Sequence, residues 1–234
     1  MAYTTPEGDV SQMERVSLLQ GDPRQQDLHN QCDPTEEEAE ASMTFLIRPY
    51  DSFTARIRNM AAEGETIARV LIEGPYGSTH AFDKFEHLLF IVGGSGIVVP
   101  LSYLEQLNRA LTVKSVTIVW SVREPAFVEE VLRHDIPAGL LDGKINMEVF
   151  LTRGFSNNSD DDGPPEWSKE VNAVPGRPDV YSTVEYAAYS SDGGSLAIIS
   201  CGPAKMADDS RQAVVAMLGK GFRKIEYFQE AFNW

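Results

Sequence analysis

The stretch Leu88–Leu104, LLFIVGGSGIVVPLSYL, decides the fold. A run of large apolar residues breaks into Gly93-Gly94-Ser95-Gly96 and resumes at Ile97 with helical character. That order reads as strand, turn and helix. Without Cβ atoms in the turn, backbone N–H groups and the positive end of the following helix approach an anion closely, a diphosphate being the usual guest. Glycine turns of this kind also serve tight strand-to-helix packing, so the motif leaves both uses open.

Working outward, short apolar strands alternate with helical patterns. LLFIV is followed by a helix over Ile97 to Leu111, SVTIVWSV by one over Ala126 to His134, and INMEVFLT by a long break. Beyond the break come a helix over Val180 to Tyr189, the strand LAIIS, a helix over Pro203 to Leu218 and the strand KIEYFQ. This punctuation predicts an α/β fold with a mainly parallel sheet and helices on both faces. Ligands of such sheets bind beyond the carboxyl ends of the strands, where the Gly93 turn, Ser121 to Arg123 and Cys201-Gly202-Pro203 all fall.

Three segments are expected along the chain. Residues 1–42 are acidic, with Glu36-Glu37-Glu38 and few large apolar residues, and read as disordered because they bury too little surface to offset ordering entropy. In residues 43–77, MTFLIRP and ARVLIEG read as two strands flanking an amphipathic piece around Phe53 to Met60. Two strands do not make a stable sheet alone and must lean on something else. Residues 78–234 hold the alternating unit. Within it, Arg153 to Asp179 reads as a long loop carrying Asp160-Asp161-Asp162-Gly163. A calcium loop counted from Asn158 puts Lys169 where the bidentate Glu belongs, so no metal site is expected.

At 234 residues the chain is long enough for one ordinary domain with a fragment of a second. Its net charge of −15 disfavours nucleic acid and anionic lipid, and any phosphate-bearing ligand needs locally placed arginine or lysine. Cys32 and Cys201 are the only cysteines and suggest no disulfide framework. No run of eighteen apolar residues and no signal-peptide pattern is present, so the chain is expected to be cytoplasmic.

The glycine turn departs from G-x-G-x-x-G, since counting from Gly94 puts Val99 at the third glycine position. At the end of the second strand of the sheet, an NAD enzyme usually offers an acid to the ribose and an NADP enzyme a cation to the 2′-phosphate. Arg123 there favours NADPH; the alternatives are a surface pair with Glu124, or some room for NADH left by that acid. Cys201 stands where strand gives way to helix, and three readings are open. The helix N-terminus lowers its thiol pKa, the residue is a small buried hydrophobe, or it walls a flat ring. The terminal Glu226 to Trp234 is aromatic, and Trp234 suits stacking on a planar cofactor. His29, His80, His87 and His134 show no metal-ligand spacing, and His134-Asp135 reads as a helix end. No Walker lysine follows the glycines.

Taken in order, MTFLIRP, Glu73-Gly74-Pro75-Tyr76-Gly77, Gly93-Gly94-Ser95-Gly96-Ile97 with Pro100, Trp120-Ser121-Val122-Arg123, Gly176-Arg177-Pro178, Cys201-Gly202-Pro203 and Glu230-Ala231-Phe232-Asn233-Trp234 resemble the C-terminal part of fungal ferric-chelate reductases. That family belongs with the NADPH oxidases to the ferredoxin-NADP reductase superfamily, and the likeness covers Met43 to Trp234. It implies a nucleotide domain of that type with a remnant of an antiparallel flavin barrel. It also implies that Gly93, Gly94, Ser95, Gly96, Ile97, Gly202 and Pro203 line the NADPH diphosphate and nicotinamide ribose. By the same resemblance Ser121, Arg123 and Arg177 would hold the 2′-phosphate end, and Gly74, Tyr76 and Gly77 would belong to the cofactor cleft. The resemblance further implies that Cys201 would sit by the nicotinamide and that Trp234 or Phe232 would cover the flavin until nicotinamide displaces it. Family members pass a hydride from NADPH to FAD, then single electrons through membrane haems to ferric chelates, with this region facing the cytosol. The chain carries no haem segment and no His-Pro-Phe-Thr string of the flavin barrel before Met43. It is therefore expected to be a truncated form that needs a haem-containing membrane domain or a flavin-domain partner. The alternatives are an oxidase-like domain reducing oxygen and a non-catalytic NADPH-binding fragment.

Overall fold

A computed structural model of the chain describes residues 14–19, 42–47, 53–63, 71, 79–141, 143–153, 167 and 171–230. The chain divides into two units, Met1–Val70 and Leu71–Trp234.

In the first unit, β1 (Glu14–Leu19) pairs antiparallel with β2 (Ser42–Ile47), Glu14 opposite Ile47 and Leu19 opposite Ser42. Helix α1 spans Phe53–Ala62. β2 and α1 fall where a strand and an amphipathic piece were expected, whereas β1 lies inside the stretch expected to be disordered. ERVSLL is a short run with enough branched apolar residues to pair as a strand within an otherwise acidic segment. The second strand expected here, ARVLIEG, lies outside the described residues except for Leu71.

The second unit is built on a six-stranded sheet of β3 (His87–Gly93), β4 (Ser115–Val122), β5 (Ile145–Leu151), β6 (Asn172–Pro175), β7 (Leu196–Cys201) and β8 (Ile225–Glu230). Their order is β6-β5-β4-β3-β7-β8, and every pairing is parallel. The connections carry α2 (Val98–Arg109), α3 (Pro125–His134), α4 (Val180–Ser190) and α5 (Ala204–Gly219). β6 lies within the segment read as one long loop. NAVP is only four residues, sits at the sheet edge and ends in proline, so it offers almost no periodic signal.

Both faces of the sheet are covered, which is why β3 and β7 read as continuous apolar runs and not as alternating ones. On one face Leu89, Ile91 and Ile198 pack with Val184 and Ala188 of α4 and Ala213 and Met217 of α5. On the other, Phe82 meets Phe90, Phe228 and Tyr103 of α2, and Trp120 meets Phe127 of α3 edge-on. Ser200 Oγ lies 2.6 Å from Tyr227 Oη, which donates to the Ala207 carbonyl at 3.0 Å and ties β7, β8 and α5 together.

Chain order reverses at β3: β4, β5 and β6 are added on one side, β7 and β8 on the other. The crevice beyond the carboxyl ends of β3 and β7 is therefore the switch point at which sheets of this class take their ligands.

Candidate functional site

Two loops form the lips of that crevice. The first leaves β3 at Gly93, makes a 3-10 turn over Gly94–Ile97 and enters α2. Gly94 has φ +54°, and a Cβ built on it would meet nothing within 4 Å. The turn is held from behind by the fully buried Trp120, whose indole N–H donates to the Gly94 carbonyl at 2.9 Å. Gly96 has the opposite surroundings, for its Cβ would lie 2.3 Å from the Cys201 carbonyl oxygen and 3.1 Å from Cys201 Sγ. The second lip is Cys201-Gly202-Pro203, which leads into α5. A Cβ on Gly93 would lie 2.9 Å from Pro203 Cδ, and one on Gly202 2.9 Å from Met206 Sδ. The glycines expected to face the diphosphate thus divide by surroundings. Gly93, Gly96 and Gly202 let the two lips touch, and Gly94, followed by Ser95, presents open backbone. Ile97 is fully buried behind them.

Cys201 is 1% exposed and paired in the ladder with Val92 and Glu230. Burial first, and the Glu230 carboxylate second, push its thiol up to about 11. The lowered thiol pKa offered as one reading of the sequence is therefore corrected. α5 begins only at Ala204, and dehydration outweighs any pull from its N-terminus. Cys201 is therefore a neutral, buried thiol packed against the glycine turn. Glu230 itself pairs with His80 at 3.2 Å, and the His80 ring packs on Phe82 and Phe228.

The crevice continues along the carboxyl ends of β4, β5 and β6. Ser121 is the ladder partner of Gly93, and its Oγ is buried without a hydrogen-bond partner. Arg123 is exposed, and no carboxylate among the described residues pairs with it. The pair with Glu124 offered as an alternative does not form. Glu124 Oε1 instead stands 3.6 Å from Arg153 Nη1, just past the end of β5. Register continues beyond the ladder: Thr152 N–H donates to the Val122 carbonyl and Gly176 N–H to that of Leu151, both at 2.9 Å. Arg123, Arg153 and Arg177 therefore follow the ends of three adjacent strands, whose neighbours lie about 5 Å apart. Arg153 is absent from the sequence reading, although the strand-end logic that singles out Arg123 on β4 applies equally to β5.

Beyond Arg177, Asp179 caps α4 by accepting from Tyr181 N–H at 3.0 Å and from Ser182 N–H and Oγ. These bonds, the Ser182 hydroxyl first, hold its carboxyl below the usual range. Pro178, Tyr181 and Gln212 line a crevice of about 430 Å³ between the start of α4 and the middle of α5. Phe232, Trp234, Gly74, Tyr76 and Gly77 lie outside the described residues, as do the Asp160-Asp161-Asp162 run and Cys32. Among the described residues no group of three or more His, Cys, Asp or Glu is placed to hold a metal ion, and no helix is long and apolar enough to cross a membrane.

Comparison with known proteins agrees with this architecture. The family model described as "Ferric reductase NAD binding domain" matches residues 85–215. The "Ferric reductase transmembrane component 6" of Saccharomyces cerevisiae is 31% identical over 207 residues, 81% of this chain and 29% of that protein. Its counterpart named component 5 is 31% identical over 83% of this chain and 30% of its own length. The chain thus spans less than a third of these relatives. Among solved structures, the cytochrome b5 reductase domain of Ulva prolifera nitrate reductase superposes with a TM-score of 0.52 at 13% identity, over 82% of this chain and 72% of that one, a likeness of fold. A six-stranded parallel sheet with a glycine turn at its switch point, a family model over more than half of the chain and relatives at 31% identity agree: the chain belongs to the ferric reductase NAD-binding domain family.

Proposed function

We propose that this chain is the NADPH-binding part of a ferric-chelate reductase, delivering reducing equivalents to FAD and, through a haem-bearing membrane domain, to ferric iron. The observation that carries the reading is the exposed Arg123 at the end of β4, with which no carboxylate among the described residues pairs, next to an open glycine turn at the switch point. The residues present fit the nucleotide. Gly94 leaves room where a diphosphate would approach backbone and the N-terminus of α2. The orphaned Ser121 hydroxyl and the Arg123 guanidinium suit a phosphorylated ribose, with Arg177 farther along the same edge.

Bound NADPH and FAD would supply the hydride and electron chemistry itself. The chain contributes position: the glycine turn fixes the diphosphate, Arg123 with Ser121 and Arg177 fixes the 2′-phosphate, and Cys201 walls the ring end without gaining or losing a proton at neutral pH. The residues expected to meet a flavin lie outside those described, so the FAD step is supported by family membership. In the same reading this unit faces the cytosol in membrane-anchored relatives.

Binding of NADP+ and NAD+ to the purified chain, measured by calorimetry, tests the nucleotide step. Arg123→Ala is expected to weaken NADP+ about tenfold or more, the worth of a charge-assisted contact to phosphate, and to leave NAD+ nearly unchanged. Equal losses for both overturn the assignment. Anaerobic titration with FAD and then NADPH, read by flavin absorbance, tests the second step. Stoichiometric binding and bleaching support a working reductase, whereas free, oxidised FAD beside bound NADPH makes the chain a nucleotide module that needs a separate flavin domain.

A further inference from the structure

The strand-end edge holds a carboxylate where it does most harm to a phosphate. Glu124 follows Arg123 directly, stands at the N-cap of α3 without capping it, and keeps Oε1 buried with no hydrogen bond among the described residues. Its side chain is only 28% exposed, so water screens the charge incompletely. A carboxylate at this end of β4 suits the free ribose hydroxyls of NAD and repels a 2′-phosphate. Among the described residues the countercharge that Glu124 meets is Arg153, at 3.6 Å, reaching across from β5. The Thr152 and Gly176 backbone bonds continue the strand register to this point, so Arg153 is brought to Glu124 by the sheet itself.

From this juxtaposition we infer that Arg153 sets nucleotide specificity by neutralising Glu124, so that Arg123 acts on a 2′-phosphate unopposed. Arg153 is a positioning residue in this role: its guanidinium stands beside Glu124 and acts on the nucleotide through that carboxylate. The inference rests on the nucleotide site proposed above and adds a second determinant, on another strand, to Arg123. A chain carrying the acid without its partner is expected to treat the two nucleotides more evenly.

The test uses the full chain with 2′-phospho-AMP and 5′-AMP as probes, bound by calorimetry, so that no flavin is required. Arg153→Gln is expected to weaken 2′-phospho-AMP about five- to tenfold and to leave 5′-AMP nearly unchanged, the size of one unscreened charge near an exposed site. Glu124→Gln is expected to tighten 2′-phospho-AMP modestly. In the Glu124→Gln background, Arg153→Gln is expected to have no further effect, because the charge it leaves behind is gone. Arg153→Lys, which keeps the charge, preserves the preference and controls for loss of the arginine's packing. An equal loss from Arg153→Gln in both backgrounds overturns the inference, since Arg153 then touches the phosphate or supports the fold. Equal losses for both probes overturn it as well. Absence of any preference for 2′-phospho-AMP in the unmodified chain removes the underlying site and the inference with it. A preserved preference in Arg153→Gln removes the inference alone.

Discussion

Burial against the glycine turn and the nearby Glu230 carboxylate both disfavour the thiolate of Cys201, so its chemistry departs from that of an exposed cysteine. The folded-state value of about 11 lies above the ordinary 9.0, so the folded chain holds this proton more tightly than the unfolded one. The associated stability is complete below pH 9 and is lost as pH rises through 11. Alkylation of the Cys32→Ser chain at pH 8 checks this. Cys201 is expected to react about a hundredfold more slowly in the native state than in urea, from thiolate fraction alone, and access slows it further. Rapid native alkylation at pH 8 would contradict both the burial and the raised thiol pKa. The position of Cys201 at a strand end was legible in the sequence. Its acidity was not, because the burial that chiefly raises the thiol pKa comes from the packed glycine turn and the carboxylate that adds to it comes from a neighbouring strand.

At the scale of the element, the β3–turn–α2 unit separates two uses of glycine that the string GGSG leaves mixed. A methyl at Gly96 collides with the Cys201 backbone, which cannot swing aside as a flexible side chain does. Gly96→Ala is therefore expected to cost about 3 kcal/mol of stability, the upper part of the overpacking range. Gly94→Ala meets no atom within 4 Å and costs only the left-handed backbone strain, about 1–2 kcal/mol. Its methyl instead enters the open side of the turn, and NADP+ affinity is expected to fall about tenfold, roughly one bond to a charged phosphate. Urea titration and nucleotide calorimetry on the two variants check the separation; the same profile for both would refute it. Elements of this length were readable from hydrophobic patterning: the bounds of β4 follow SVTIVWSV, and α3 and α4 lie within a residue or so of the expected helices. β6 and β1 were not, because a four-residue edge strand ending in proline and one apolar run in an acidic segment carry too few residues to show a period.

At the scale of the molecule, a net charge of −15 opposes any anionic ligand at long range, so nucleotide affinity has to be built locally. The parallel sheet does this by topology: consecutive strand ends bring Arg123, Arg153 and Arg177 to one edge although they lie far apart in the chain. Sequence logic reached Arg123 and Arg177 through their motifs. The Glu124–Arg153 pair depends on strand order and register, which one sequence does not display. A site assembled this way couples nucleotide binding to folding of the unit that contains the sheet. At a free concentration one hundred times its dissociation constant, NADP+ adds about 2.7 kcal/mol to the stability of that unit. For a unit of this size the thermal midpoint is expected to rise about 5–10 °C. NAD+ at the same concentration is expected to give a smaller shift, and Arg123→Ala brings the two together. If heating resolves two transitions, one per compact unit, only that of the sheet-bearing unit Leu71–Trp234 moves. Scanning calorimetry with each nucleotide checks this. Equal shifts with NAD+ and NADP+ would remove the 2′-phosphate from the site, and a shift in the other transition would place the nucleotide on the wrong unit.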